Sequence, residues 1–256
     1  MIKFTVVTIT YNAASVLQPT LDSVLAQSYA NVEHWIIDGK SADNTVAMAE
    51  DYRRQTEQQG SRHVVCIQSE PDRGLYDAMN KGLALATGDY IVFLNAGDAF
   101  PSADTLQHVA DCVKPGEPLP SVLYGFTDIV DSERHFVAHR RLQPPAHLTW
   151  RSFCRGMLVC HQAFYARADL AKNNPYDLRY RFSADVDWCI RVMREAQRRH
   201  LKLVRVNEVV ANYLDGGMTN KNHRASLIER FHVMARHYGL VTTLLMHLWF
   251  VIRRPS

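Results

Sequence analysis

Three stretches of this 256-residue chain place acidic side chains where a carboxylate can do chemistry. In "YIVFLNAGDAF" an apolar run stops abruptly at Asn95-Ala96-Gly97-Asp98. In "IIDGKSADNT" a second apolar run stops at Asp38, and in "FSADVDWCIRV" Asp185 and Asp187 open a helical pattern. A hard cation such as Mg2+ or Mn2+ takes one or two carboxylates and completes its shell with water and phosphate oxygens. Asp98, following a small glycine at the end of a strand, is shaped for that role. No GxGxxG or GxxxxGK[ST] follows the first strand, which disfavours a dinucleotide site or a P-loop. A carboxylate with a divalent cation is another way to hold an anion. Taken singly, the same residues also read as turns and caps, Ser41 and Asp43 as caps of the next helix.

The elements that must position these residues alternate through the first half. Residues 4–10, 32–38, 64–68 and 90–94 are apolar runs that predict strands buried on both faces. Residues 15–27, 43–59 and 76–86 between them carry helical periodicity. Such alternation predicts a parallel sheet with right-handed crossovers, and in such sheets ligands bind outside the carboxyl ends of the strands. All four strands finish in polar residues: Thr8 to Asn12, Asp38 to Thr45, Glu70 to Gly74 and Asn95 to Asp98. Beyond residue 100, residues 122–130 and 135–140 suggest a hairpin. Residues 185–200 form a helix, and 201–206 and 209–214 suggest two late strands.

"TVVTITYN", "IIDGKSADNT", "SEPDRGLYDAMNKGLALATGDYIVFLNAGD", "CHQAFYAR" and "FSADVDWCIRV" occur in the order and spacing of the family 2 glycosyltransferases. Over roughly residues 3–215 the chain resembles that family, and most of all its bacterial branch acting in exopolysaccharide and O-antigen assembly. The resemblance implies an α/β GT-A (nucleotide-diphospho-sugar transferase) fold, with a mostly parallel central sheet flanked by helices. It implies an inverting, metal-dependent, hexosyltransferase-type reaction. The donor would be a nucleotide-diphosphate sugar, a UDP-sugar in the first instance, and the acceptor a hydroxyl of a glycan or polyprenyl-linked molecule. Thr8, Thr10 and Asn12 would line the nucleotide pocket and Asp38 would meet the nucleobase. The family's usual "FLDxDD" is "FLNAGD" here, so the metal role falls to Asp98 alone, with Asn95 toward ribose or sugar. Apart from the resemblance, Arg73 reads either as a counter-charge to the diphosphate or as an exposed loop arginine. The family's "ED" pair corresponds to Ala184-Asp185, which makes Asp185 the expected base. A helix N-terminus favours its ionised form by up to about 1 kcal/mol. Asp187 lies about 200° further round the helix and stands second. His161, in the "HQ" segment, reads as an acceptor or diphosphate contact or as a core histidine, and residues 216–219 as a lid over the phosphates.

Composition sets outer limits. Hydrophobic residues make up 47% and charged residues 21%, ordinary for a globular protein with a sizeable core. The net charge of +3 is too small to argue for nucleic acid. Five cysteines without a CxxC pair fit a reducing, cytoplasmic compartment, and the spacing of Cys154, Cys160 and His161 is poor for zinc. The first residues read as a strand, not a signal peptide. Residues 1–222 are expected to form the transferase domain and 223–256 a helical, basic and apolar tail. In 216–256 six Lys/Arg face one acid, a surplus of +5. Residues 240–252 are apolar but too short to span a bilayer, which suggests a tail lying on the inner face of the cell membrane, or else a final helix packed on the sheet or in a homodimer. Two rivals follow from the same residues: a non-catalytic nucleotide-sugar-binding subunit, and a nucleotidyltransferase, which would need a glycine-rich basic loop that "TITYNAAS" lacks.

Overall fold

The computed structural model describes residues 1–216 and 223–252. Seven consecutive buried residues, FTVVTIT, make β1 (Phe4–Thr10) an inner strand of an eight-stranded sheet. The others are β2 (Val32–Asp38), β3 (Val64–Ser69), β4 (Tyr90–Phe93), β5 (Val122–Val130), β6 (Phe136–His139), β7 (Phe164–Arg167) and β8 (Leu203–Leu214). Their order is β3-β2-β1-β4-β7-β5-β6, with β8 paired to β5. The first four strands are parallel, β7 runs antiparallel between β4 and β5, and β8 is parallel to β5. The crossovers are α1 (Ala14–Leu25), α2 (Thr45–Gln58) and α3 (Leu75–Leu85), followed by α4 (Thr105–Asp111) and α5 (Ala168–Asn173). Then come α6 (Ala184–Arg198), α7 (His223–Tyr238) and α8 (Leu240–Ile252). One core joins β1, β4, β5 and β7 to α3 and α6; a smaller one of Leu17, Leu21, Ile36, Ala49 and Tyr52 joins α1 and α2 to β2.

The alternating half matches its expectation, and the predicted hairpin exists, with Asp128 opposite His139. Three features differ. The β3 strand is only partly buried, because it is the sheet's edge and has a neighbour on one side alone. The two late strands are one, β8, and the irregularity is taken up by register shifts in the pairing with β5 around Phe126. The four residues of β7 are too few to announce a strand by pattern, yet they connect the parallel half to β5.

Register levels the carboxyl ends of the strands: Thr10 pairs with Asp38, and Asp38 with Ser69. Helix α7 is not an appendage. Val233 and Met234 are buried in the body, and the Tyr238 ring stacks on Trp150 at 5.5 Å between centroids. The boundary expected at residue 222 therefore separates chain segments but not packing units.

Candidate active site

Asp185 lies in the first turn of α6, with its side chain 17% exposed. One carboxylate oxygen, Oδ1, accepts from the Val186 amide at 2.9 Å and from the Tyr76 hydroxyl at 3.3 Å. The other, Oδ2, meets His161 Nδ1 at 3.3 Å, and His161 Nε2 in turn meets the Asn95 amide nitrogen at 3.0 Å. An ionised carboxylate only accepts, so Nδ1 carries the proton given to Asp185. The end of β4 is thus linked through one imidazole to the head of α6. Aromatic packing fixes the same relation from below. Trp188 of α6 stacks on Tyr176, Tyr176 stacks on Tyr76, and Phe93 of β4 meets Trp188 and Tyr176 edge-on. Burial pushes the Asp185 carboxyl up, but the hydrogen bond and charge of His161, the Arg230 charge and the Val186 amide outweigh it. The group is held below the usual aspartate range.

Asp98 is differently placed. It is 5% exposed, accepting from Gln162 Nε2 at 2.9 Å and from the Leu214 amide at 3.2 Å. Burial pushes its carboxyl up to about 6, against those two donors and the charges of His161 and Arg134. Gly97 before it has φ of +99°, and a Cβ there would lie 2.8 Å from Leu214 Cδ2, so the turn requires glycine. A second carboxylate at position 97 would have to adopt a positive φ that L side chains rarely take. Among the described residues no cluster of three or more His, Cys, Asp or Glu side chains is suited to a metal. What the turn offers is Asp98 and the Asn95 Oδ1, a buried oxygen without a hydrogen-bond partner. That set fits a hard ion sharing its shell with a diphosphate; it does not fit an ion caged by protein alone.

The residues expected around the nucleotide divide. Thr8 is fully buried and bonded to the Leu94 carbonyl and His34 Nε2, both at 2.8 Å, so it faces the interior and not a pocket. Thr10 donates to Asp38, which also accepts from the Ser41 amide and hydroxyl and from the Ser69 hydroxyl. Burial raises and these donors lower the Asp38 carboxyl, with a net fall. Its carboxylate is committed to holding three strand ends together, which corrects the expectation of a carboxylate free for a base. Asn12 is exposed at φ of +47°, its Oδ1 accepting from the Ala42 amide at 2.9 Å. Arg73 is exposed and pairs with Asp77 at 2.9 Å. Tyr11, missed by the sequence reading, is 67% exposed beside Gly39, where a Cβ would strike Asp72 and crowd the Tyr11 ring. Asp187 is fully buried against Arg191 Nε at 2.6 Å and His237 Nε2 at 2.7 Å, which removes it as an alternative base. Of the expected lid, residues 217–219 lie outside the described residues.

A sheet of this order, with a carboxylate site at the carboxyl ends of its strands, defines a GT-A type of nucleotide-sugar fold. Residues 5–171 match the family described as Glycosyl transferase family 2. The chain is 33% identical over 248 residues to a PGL/p-HBAD biosynthesis glycosyltransferase of Mycobacterium bovis (strain BCG / Pasteur 1173P2), covering 96% of this chain and 90% of that one. It is 31% identical over 219 residues to the amylovoran biosynthesis glycosyltransferase AmsB of Erwinia amylovora, covering 83% and 69%. Among solved structures, S. aureus TarS 1–349 in complex with UDP-GlcNAc superposes with a TM-score of 0.70 at 16% identity, over 97% of this chain and 73% of that one. The mannosyltransferase PcManGT from Pyrobaculum calidifontis, in complex with GDP-Man and Mn2+, gives 0.63 at 16%, over 100% and 76%. The chain belongs to glycosyltransferase family 2 and has the GT-A fold.

Proposed function

We propose that this protein is an inverting glycosyltransferase of cell-surface polysaccharide assembly. It moves a hexosyl-type sugar from a nucleotide-diphosphate sugar, a UDP-sugar first, to a hydroxyl of a glycan or polyprenyl-linked acceptor. The observation that carries this reading is Asp185: an ionised, partly open carboxylate at a helix head, joined through His161 to the turn that ends β4. In an inverting transfer the acceptor oxygen attacks as the diphosphate leaves, and its proton must go to a nearby base. Asp185 Oδ2 takes that proton while the His161 Nδ1–H steadies the oxygen's orientation. Tyr76 holds Oδ1, so the carboxylate cannot rotate away.

The nucleotide end of the donor is assigned to the carboxyl ends of β1 to β3, where Tyr11 beside Gly39 exposes an aromatic ring and Arg73 a cation. Thr10 and Asp38 act beneath as its floor. Asp98 and Asn95 are the residues that would hold Mg2+ or Mn2+ together with the diphosphate. Such an ion supplies charge neutralisation for the leaving group when bound. The solved structures of like fold that hold UDP-GlcNAc, or GDP-Man and Mn2+, support this ligand chemistry by analogy of fold.

Acceptors of the lipid-linked kind place the enzyme at the cytoplasmic face of a membrane. Among the described residues no helix is long and apolar enough to cross one, so the contact would be peripheral, through α8. The central test is Asp185→Asn. Release of nucleoside diphosphate from UDP-sugar donors should fall about 100- to 10,000-fold while calorimetric binding of UDP stays as in the wild type. Undiminished release would remove Asp185 from the mechanism.

A further inference from the structure

The turn that delivers Asp185 is held by a residue of the C-terminal segment. Three consecutive backbone amides, of Arg181, Phe182 and Ser183, point at the Glu229 carboxylate of α7, at 2.8, 2.6 and 3.0 Å. Ser183 is the N-cap of α6 but makes no side-chain capping bond there. Its hydroxyl instead donates to the Ser226 carbonyl of α7 at 3.2 Å. A helix N-terminus leaves orphan amides and a partial positive charge, and consecutive amides form a concave anion site. Here a carboxylate from 46 to 48 positions downstream fills that site, just before Asp185. The grip is repeated one turn later. Buried Asp187 meets His237 of α7, and Arg236 of α7 meets Asp177 at 3.0 Å. Arg230, next to Glu229, supplies charge to Asp185.

We propose that Glu229 is a positioning residue for the transfer, and that α7 belongs to the catalytic apparatus by fixing the 181–183 turn on which Asp185 stands. The inference rests on the reading of Asp185 as base. A displacement of about 1 Å in a reacting group can cost about 100-fold in rate, and the Glu229 carboxylate lies where such a displacement would begin. The residues assigned to the donor at the ends of β1 to β3 take no part in this contact.

The test uses the full chain, UDP-GlcNAc and UDP-glucose as donor probes, and hydrogen exchange read on the peptide containing residues 181–183. Glu229→Ala should speed exchange of that peptide and lower kcat at least tenfold, with the donor KM within twofold of wild type and UDP binding retained. Glu229→Gln, which keeps one good acceptor oxygen, should recover part of the lost kcat. Faster exchange with unchanged kcat overturns the proposal, since the turn is then free without consequence. So does a fall of melting temperature and kcat in both variants together with a raised donor KM and weakened UDP binding, which marks a structural role only. Asp185→Asn runs alongside. If it alone keeps full turnover, the base assignment has failed; if it is inactive while both Glu229 variants turn over normally, only the positioning role has failed.

Discussion

Asp185 and Asp98 are both largely withdrawn from water, yet their surroundings drive them in opposite directions. Asp185 faces an imidazole N–H and the charge of Arg230, which together overcome burial. Asp98 faces a neutral amide and a backbone N–H, with Arg134 and His161 adding little, and burial wins. A divalent ion beside Asp98 would supply the missing positive charge. Asp98→Asn keeps the shape of the turn and removes that charge partner. Calorimetric binding of UDP should therefore lose its enhancement by Mn2+ while metal-free binding changes little; an intact Mn2+ increment would exclude Asp98 as a ligand. Both carboxylates were legible in the sequence because motif and strand end mark them. Their partners were not. Tyr76 lies 109 positions from Asp185, and Gln162 lies 64 from Asp98, so only the folded sheet brings them together. Thr8 shows the converse limit. A strand buried on both faces has no alternation to say which way a side chain points, and Thr8 points inward.

The parallel half of the sheet was legible because continuous apolar runs alternate with amphipathic helices, whereas β7 and the joined β8 depend on partners far along the chain. The amino ends of the strands, opposite the site, depend on such partners too. Glu33, in β2, accepts from Lys3, from the Thr5 hydroxyl, and from the amide and hydroxyl of Thr87. It ties β2, β1 and the turn before β4 into one block. Burial alone would raise its carboxyl, but these bonds prevail and hold it at about 2, against an ordinary 4.5. A folded-state value below the unfolded one stabilises the fold above the unfolded value. That contribution is lost as pH falls from about 4.5 towards 2. Glu33→Gln should accordingly lower unfolding free energy by roughly 3 kcal/mol at pH 7, with the deficit against wild type narrowing in denaturant titrations below pH 4.5. A deficit constant down to pH 2 would show that packing, not charge, is what Glu33 contributes.

At the scale of the whole molecule, the C-terminal segment divides into two parts with opposite surfaces. Helix α7 turns buried and charged residues into the body, while α8 shows Val241, Leu244, Leu245, Leu248 and Ile252 to solvent, exposed by 53 to 74%. Their spacing puts them on one helical face. In the peripheral contact proposed above this stripe is the apolar face, and the surplus of basic residues in the segment favours an anionic lipid surface over a second copy carrying the same charge. Removing the whole segment would not test this, because it would also remove Glu229 from the turn before Asp185. The stripe has to be changed in place. Leu244→Glu combined with Leu248→Glu should abolish co-sedimentation with vesicles of phosphatidylcholine and phosphatidylglycerol, with donor turnover on a water-soluble acceptor unaltered. Wild-type binding to these vesicles should weaken as salt is raised, because part of the attraction is between charges. If the wild-type chain ignores the vesicles but is dimeric by light scattering, and the double substitution makes it monomeric, the stripe faces another copy and the membrane assignment is withdrawn.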